Sequence, residues 1–337
     1  MLKKIIVASC LLLCLGACSF VEDPFSDAEA ELPPEPADHR TVHQAFFLVD
    51  NDLDDAFLIA AQDFVYTVSG LTQGQLEIEV RTARNAVNSL DSGGAQLVFL
   101  DSASDQTYYE GLGVLATPFL YSGYQVFTMV CNAEDVRQMF NEEMPKDKNA
   151  QLLAAYYKPG MQLLSTWQPS DITGFAQTPV AVDPNSGSGG GFESLGAVPT
   201  EEPDPQRRIQ MLLEGEVQAA ELTLWDMESI NWTDTDLYLT LTGHTAAPVW
   251  LMVGNDFFGG LTQAQRAAVH EAAAQMYGRI DQEYLRREAE IVRLMEEQGV
   301  LLYRDFSPAR RQVFAGESTG GEQTVRSYVF DYVSRLQ

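Results

Sequence analysis

From Thr262 to Gln298 the sequence runs without a proline, and Ala268, Ala272, Met276, Ile280, Tyr284, Ile291 and Met295 fall on one stripe of a 3.6-residue repeat. Thr262 suits an N-cap, and Gly299 suits the position just past a helix C-terminus. At 1.5 Å per residue such a helix is about 55 Å long, more than the width of one α/β lobe. Its apolar steps drift and do not hold a heptad, which argues against a coiled-coil seam. A helix of this length braces two lobes.

The segments before it supply the lobes. Val42 to Val49 reads as a strand, and Leu53 to Ser69 carries Phe57, Ala60, Ala61, Phe64, Val65 and Val68 at helical spacing. Leu76 to Val80 alternates apolar and acidic residues, as a half-exposed strand does. Ala83 to Leu90 is a short helix, and the continuously apolar Ala95 to Leu100 is a buried strand. This order implies a parallel sheet with helices on its faces. Further on, Gln125 to Phe140 and Lys148 to Tyr157 are expected to be helical, and Gly160 to Thr166 a strand. The run SGSGGG at 186–191 is expected to be a flexible loop. Gln206 to Leu213 is a helix, Val217 to Leu222 a strand, and Tyr238 to Val253 extended.

The N-terminus sets the compartment. Lys3 and Lys4 precede an apolar run, Ile5 to Leu15, too short to cross a bilayer, which takes about 20 residues. The run ends in Leu15-Gly16-Ala17-Cys18, which resembles the lipobox of bacterial lipoproteins. That resemblance implies cleavage before Cys18, a diacylglyceryl group on its sulfur and an acyl chain such as palmitate on its new amino group. Two or three chains anchor stably where one does not. Cys10 and Cys14 leave with the signal, so Cys131, in an apolar stretch, is the one thiol left to the domain and no internal disulfide is expected. Residues 19 to about 40 are rich in Pro, Glu and Asp and read as a tether. The formal charge of −27, or −29 once Lys3 and Lys4 are gone, excludes nucleic-acid binding, which rests on basic side chains neutralising phosphates. The bilayer is then held by acyl chains and not by a basic face.

Several segments together resemble a known family. They are Gly74 to Val80, the strand Ala95 to Leu100, Ala116-Thr-Pro118-Phe119-Leu120-Tyr121, Leu195-Gly196-Ala197-Val-Pro199, Leu213-Glu-Gly215-Glu-Val217-Gln-Ala-Ala-Glu221, and the long helix closing on Glu296-Glu-Gln-Gly299-Val300. In order and spacing they are similar to the DctP-type solute-binding proteins of TRAP (tripartite ATP-independent periplasmic) transporters, which move organic acids and related solutes on an ion gradient. The resemblance implies an α/β, two-lobed periplasmic-binding-protein-like fold with a long helix spanning both lobes. It places the signal peptide at 1–17 and the tether at 18–40. Lobe I is 41–158 plus about 254–278, and lobe II is 159–253 plus about 279–337. It implies a monomer on the outer side of the cytoplasmic membrane that captures a small solute and passes it to membrane permease subunits. A sensory or adaptor lipoprotein of the same fold, uncoupled from transport, is the alternative.

The departures from the family pattern bear on the ligand. Carboxylate-binding members carry an arginine at the end of a segment like Asp171-Ile-Thr-Gly174-Phe-Ala-Gln-Thr178, and here Thr178 stands in its place. A second family arginine would fall near Leu163 or Leu164 and is absent; Gln218 and Leu222 replace the usual Asp and Asn. A hydroxyl does not supply the bidentate, charge-assisted bonds of a guanidinium. A carboxylate held without them keeps an uncompensated, desolvated charge. The expected ligand is therefore neutral, aromatic or cationic. Thr178, Glu221, Trp225, Trp167 and Tyr121 are the expected binding residues, with Trp225 as the aromatic wall and Glu221 as partner to a cation. Trp232 and Tyr124 are further aromatic candidates.

Enzymatic readings find no purchase. His39, His43, His244 and His270 are scattered, with no HExxH pair, Cys/His cluster or GxSxG elbow, and SGSGGG lacks the lysine of a phosphate-binding loop. The acids from Asp50 to Asp55 lack EF-hand spacing. Catalysis, a cofactor and a metal are not expected.

Overall fold

The computed structural model describes residues 43–51, 53–84, 86–101, 110–169, 172–314 and 325–336. The signal, Cys18 and the tether lie outside the described residues. The strands are β1 (His43–Asp50), β2 (Leu76–Ala83), β3 (Leu97–Asp101), β4 (Gln151–Tyr156), β5 (Gln162–Ser165), β6 (Pro179–Val182), β7 (Val198–Glu201), β8 (Ala219–Leu222), β9 (Tyr238–Thr240), β10 (Val249–Val253) and β11 (Leu301–Tyr303). They form two sheets, ordered β2-β1-β3-β10-β4 and β11-β9-β5-β8-β6-β7. As expected, β1 is parallel to both β2 and β3.

Strand alternation divides each sheet between two apolar layers. Leu97 and Phe99 of β3 face the helix Asp55–Leu71 and the first half of the long helix, while Val98 and Leu100 face Phe127, Val136 and Phe140. In the second sheet Leu164 joins Ile209, Leu212 and Trp232, and Leu163 joins Phe119, Phe175 and Phe192. The long helix, Gln263–Glu297, belongs to both. Its Val269, Ala272, Ala273, Met276, Ile280 and Tyr284 enter the first sheet's core, and Ile291, Val292 and Met295 enter the second's. Thr262 caps it in a reciprocal capping box with Gln265, and Gly299 takes φ +98° beyond its end.

Several local expectations are corrected. Lys148 to Tyr157 is not a helix; it contains β4, whose last five residues are buried and which pairs with β10. An apolar run that short has no period of its own, and tertiary pairing decides it. Gln125 to Phe140 is two helices, Tyr124–Cys131 and Glu134–Glu143, broken at Asn132 and Ala133. Asn132 caps the first helix and hydrogen-bonds the backbone of Ala155 in β4 with both its side-chain oxygen and nitrogen. Part of the SGSGGG run is helical, Gly189–Ser194, because Gly191 lets Phe119 pack against it where any side chain would collide. The chain also crosses between sheets in places the sequence did not mark. β10 returns to the first sheet, and the C-terminal helix Val325–Leu336 buries Val329 and Val333 in the first sheet's core.

Beside the long helix, two segments link the sheets, 157–161 and 241–248. They are laced together. Met161 N–H donates to Thr245 Oγ1 at 2.7 Å, and Gly243 N–H donates to Gln162 Oε1 at 2.9 Å. Gly160 passes so close to Thr245 that a Cβ there would overlap the Thr245 carbonyl. We therefore expect Gly160→Ala to lower the unfolding free energy by at least about 2 kcal/mol in urea titrations. An unchanged midpoint would show that the two links are free to part.

Candidate functional site

Where the two links pass the long helix, a cavity of about 350 Å³ opens between the sheets. Tyr124 and Tyr157 wall it from the first sheet's side, Gln162 and Thr242 from the second's, and Leu285 and Glu288 from the long helix. The tyrosine rings meet edge to face, with centroids 5.4 Å apart. Around this cavity the first sheet's side is tied down by acids. Lys158 Nζ lies 2.6 Å from Asp101 Oδ2, Tyr284 donates to Asp54 Oδ2 at 2.6 Å, and Tyr124 donates to Asp281.

Two carboxylates of the long helix stand on the same face, two turns apart. Asp281 is 4% exposed; its Oδ2 accepts the Tyr124 hydroxyl and its Oδ1 is buried with no partner among the described residues. Burial pushes its carboxyl up to about 6, against the opposing pull of the Tyr124 hydrogen bond. Burial pushes Glu288 up to about 7. Tyr124 in turn is pushed up to about 12, first by burial and then by Asp281. The cavity thus offers aromatic faces, the carboxylates of Glu288 and Glu296, and two guanidinium groups, Arg304 and an Arg293 that is paired with Glu297.

A second polar centre is sealed. Glu221 is 0% exposed; its Oε2 accepts from Ser188 Oγ and lies 3.8 Å from His244 Nε2, while Oε1 and His244 Nε2 have no hydrogen-bond partner among the described residues. His244 Nδ1 shares a 2.6 Å hydrogen bond with Thr242 Oγ1. Phe119 closes this centre: its ring lies 5.2 Å from His244 and 5.4 Å from Phe192, and its N–H donates to the His244 carbonyl. It does so from the left-handed region, φ +65°, which a bulky residue occupies only under tertiary constraint.

The profile of the DctP family, bacterial extracellular solute-binding protein family 7, matches residues 53–319. The chain belongs to this family. Solved TRAP periplasmic solute binding proteins share its fold. One from Rhodobacter sphaeroides is 13% identical with a TM-score of 0.74, over 88% of this chain and 100% of that one. One from Escherichia fergusonii is 16% identical with a TM-score of 0.69, over 88% and 100%. One from Roseobacter denitrificans, with bound β-D-glucuronate, is 18% identical with a TM-score of 0.57, over 88% and 97%. The chain is thus an extracytoplasmic solute-binding protein of the DctP family with the two-lobed α/β architecture expected.

The expected binding residues of this DctP-family protein do not share one cavity. Thr178 is 5% exposed and its hydroxyl donates to the Gly174 carbonyl at 2.7 Å. Trp167 leans on the same Gly174 and on Phe175, so these two residues are brought together, but as loop packing. Glu221 belongs to the sealed centre. Trp225 packs on Tyr284, with the Arg287 guanidinium 5.4 Å from its ring. Tyr121 is in the first sheet's core, donating to the Leu115 carbonyl at 2.9 Å. Arg208 engages backbone there: its Nε donates to the Glu221 carbonyl and its Nη1 to that of Glu202. Tyr157 and Glu288, which line the cavity, are not among the expected residues. The one signal for Glu288 was a carboxylate two turns beyond Asp281, on the side of the helix that otherwise buries apolar residues.

Both raised carboxylates hold their protons longer folded than unfolded. Their contribution to stability is therefore present below the ordinary carboxylate range and is lost as pH rises through about 6 and 7. Glu288→Gln removes one of these ionisations. Between pH 5 and 8 it should gain about 1–2 kcal/mol on the wild type, after solvent screening of a partly exposed group. Urea unfolding at both pH values measures this, and parallel pH profiles would contradict it.

Proposed function

We propose that this protein is a lipid-anchored TRAP-type receptor that closes its two lobes on a small neutral, aromatic or cationic solute and hands it to the transporter's membrane subunits, without catalysis. Acylated Cys18 would hold it on the outer side of the cytoplasmic membrane, with residues 19 to about 40 as its tether. The observation that carries the reading is the cavity at the crossing of the two links and the long helix, where hinge motion changes the gap between the lobes.

The solute class follows from what lines that space. Some solved relatives of the same fold hold β-D-glucuronate or sn-glycerol-3-phosphate, both anions. Here the position of the family's arginine clamp is Thr178, whose hydroxyl is already spent on Gly174. Glu288, Tyr124 and Tyr157 give an ammonium group or an aromatic ring a wall to rest on, and of the two arginines that also line the cavity Arg293 is already paired with Glu297. A surface of net charge −27 would also repel an anion at long range.

Calorimetry with amines, quaternary ammonium ions, neutral sugars and succinate tests this. The reading expects a neutral or cationic binder, weakened about tenfold by Glu288→Gln if cationic. Tight succinate binding abolished by filling the cavity would contradict the assigned solute class.

A further inference from the structure

A basic hollow interrupts the acidic surface. A cavity of about 590 Å³ lies between the helix Ser307–Val313 and the C-terminal helix Val325–Leu336. Arg310, Arg311 and Ser307 form its polar side, and Phe314, Phe330 and Val333 its apolar side. Among the described residues no Asp or Glu lines it, in a chain with 48 acidic and 21 basic residues.

Arg310 is the unusual member. It is 6% exposed, yet the only hydrogen bond its guanidinium makes among the described residues is from Nη2 to the Thr242 carbonyl at 2.9 Å. Its Nε is buried without an acceptor. A guanidinium carries five N–H donors, and a buried one normally spends them on a carboxylate or on several carbonyls. The carboxylate it feels is that of Asp305, which is exposed and accepts from the Ser307 N–H at 3.0 Å. Burial without an ion partner pulls Arg310 down to about 10, so it remains a cation at neutral pH.

We propose that this cavity is a binding site for an amphipathic organic acid, its anionic head on Arg310 and Arg311 and its apolar body against Phe314, Phe330 and Val333. The site adjoins the solute cavity, with Ser122 on the wall of both, but its basic and apolar groups are its own and it does not depend on the function proposed above. The planar fork of Arg310 and the adjacent Arg311 supply the charge-assisted donors that a carboxylate or sulfonate takes. The apolar side gives a hydrocarbon or aromatic tail a surface to bury. Through the Thr242 carbonyl, Arg310 is also tied to the link 241–248.

Octanoate is the probe, with 1-octanol as its neutral counterpart. Calorimetry on the full domain should show octanoate binding at least tenfold tighter than octanol. Because Arg310 is buried and its replacement could unfold the chain, the variants are made at exposed lining positions. Arg311→Gln should weaken octanoate fivefold or more, and Ser334→Trp, which fills the cavity without changing a charge, should abolish binding. Glu288→Gln should leave it unchanged. Absence of octanoate binding at millimolar concentration overturns the proposal, as does binding that survives both Arg311→Gln and Ser334→Trp. Loss in Glu288→Gln would place the anion in the other cavity and overturn it too.

Discussion

The apolar stripe of Gln263–Glu297 is shared between two cores that otherwise have separate sheets and separate helices. Met276 and Ile280 are fixed by the first, Ile291 and Met295 by the second, and the turns between them carry Tyr284, Leu285 and Glu288 past the junction. A continuous helix is stiff over this length, so it holds the two sheets at a set spacing, and the links 157–161 and 241–248, tied to each other, cross beside it. The cavity exists because the helix bridges the lobes at a point where neither core fills the space.

The junction shows what such a design costs in polar chemistry. Of the acids near it, Asp54 and Asp281 are tied to tyrosines, and burial favours the protonated form of Glu288. Glu221 and His244 are shut beneath Phe119, with one oxygen and one ring nitrogen unpaired. A buried polar group without a partner costs about 1–3 kcal/mol, so movement of Phe119 that let a solute or water reach them would recover part of that energy. The strained backbone of Phe119 fits a segment that can be released.

Much of the fold was legible because its strongest signals are periodic. The long stripe, its Thr262 cap and the alternation at Leu76 to Val80 read directly into observed elements. Elements whose identity depends on a distant partner did not. β4 looked helical because its apolar residues are continuous, and only pairing with β10 makes it a strand. The glycines at 189–191 looked like a linker because nothing local announces the ring of Phe119 that needs the space. The site was less legible for the same reason. Thr178, Trp167 and Tyr121 carry plausible binding chemistry, yet hydrogen bonds to Gly174 and Leu115 and packing on Phe175 engage them within the protein. Tyr157 and Glu288 come from elements far apart in sequence and meet only through the crossing of the lobes.

The central claim is that the lobes close over a solute while the long helix keeps them in register. Spin labels on Tyr66→Cys and Leu213→Cys, both exposed and on opposite sheets' helices, would report it by pulsed electron resonance; Cys131 is buried and would stay unlabelled. The interlabel distance should shorten and its distribution narrow when a bound solute is added. A distribution that stays the same at saturating solute would contradict closure and with it the account of the cavity.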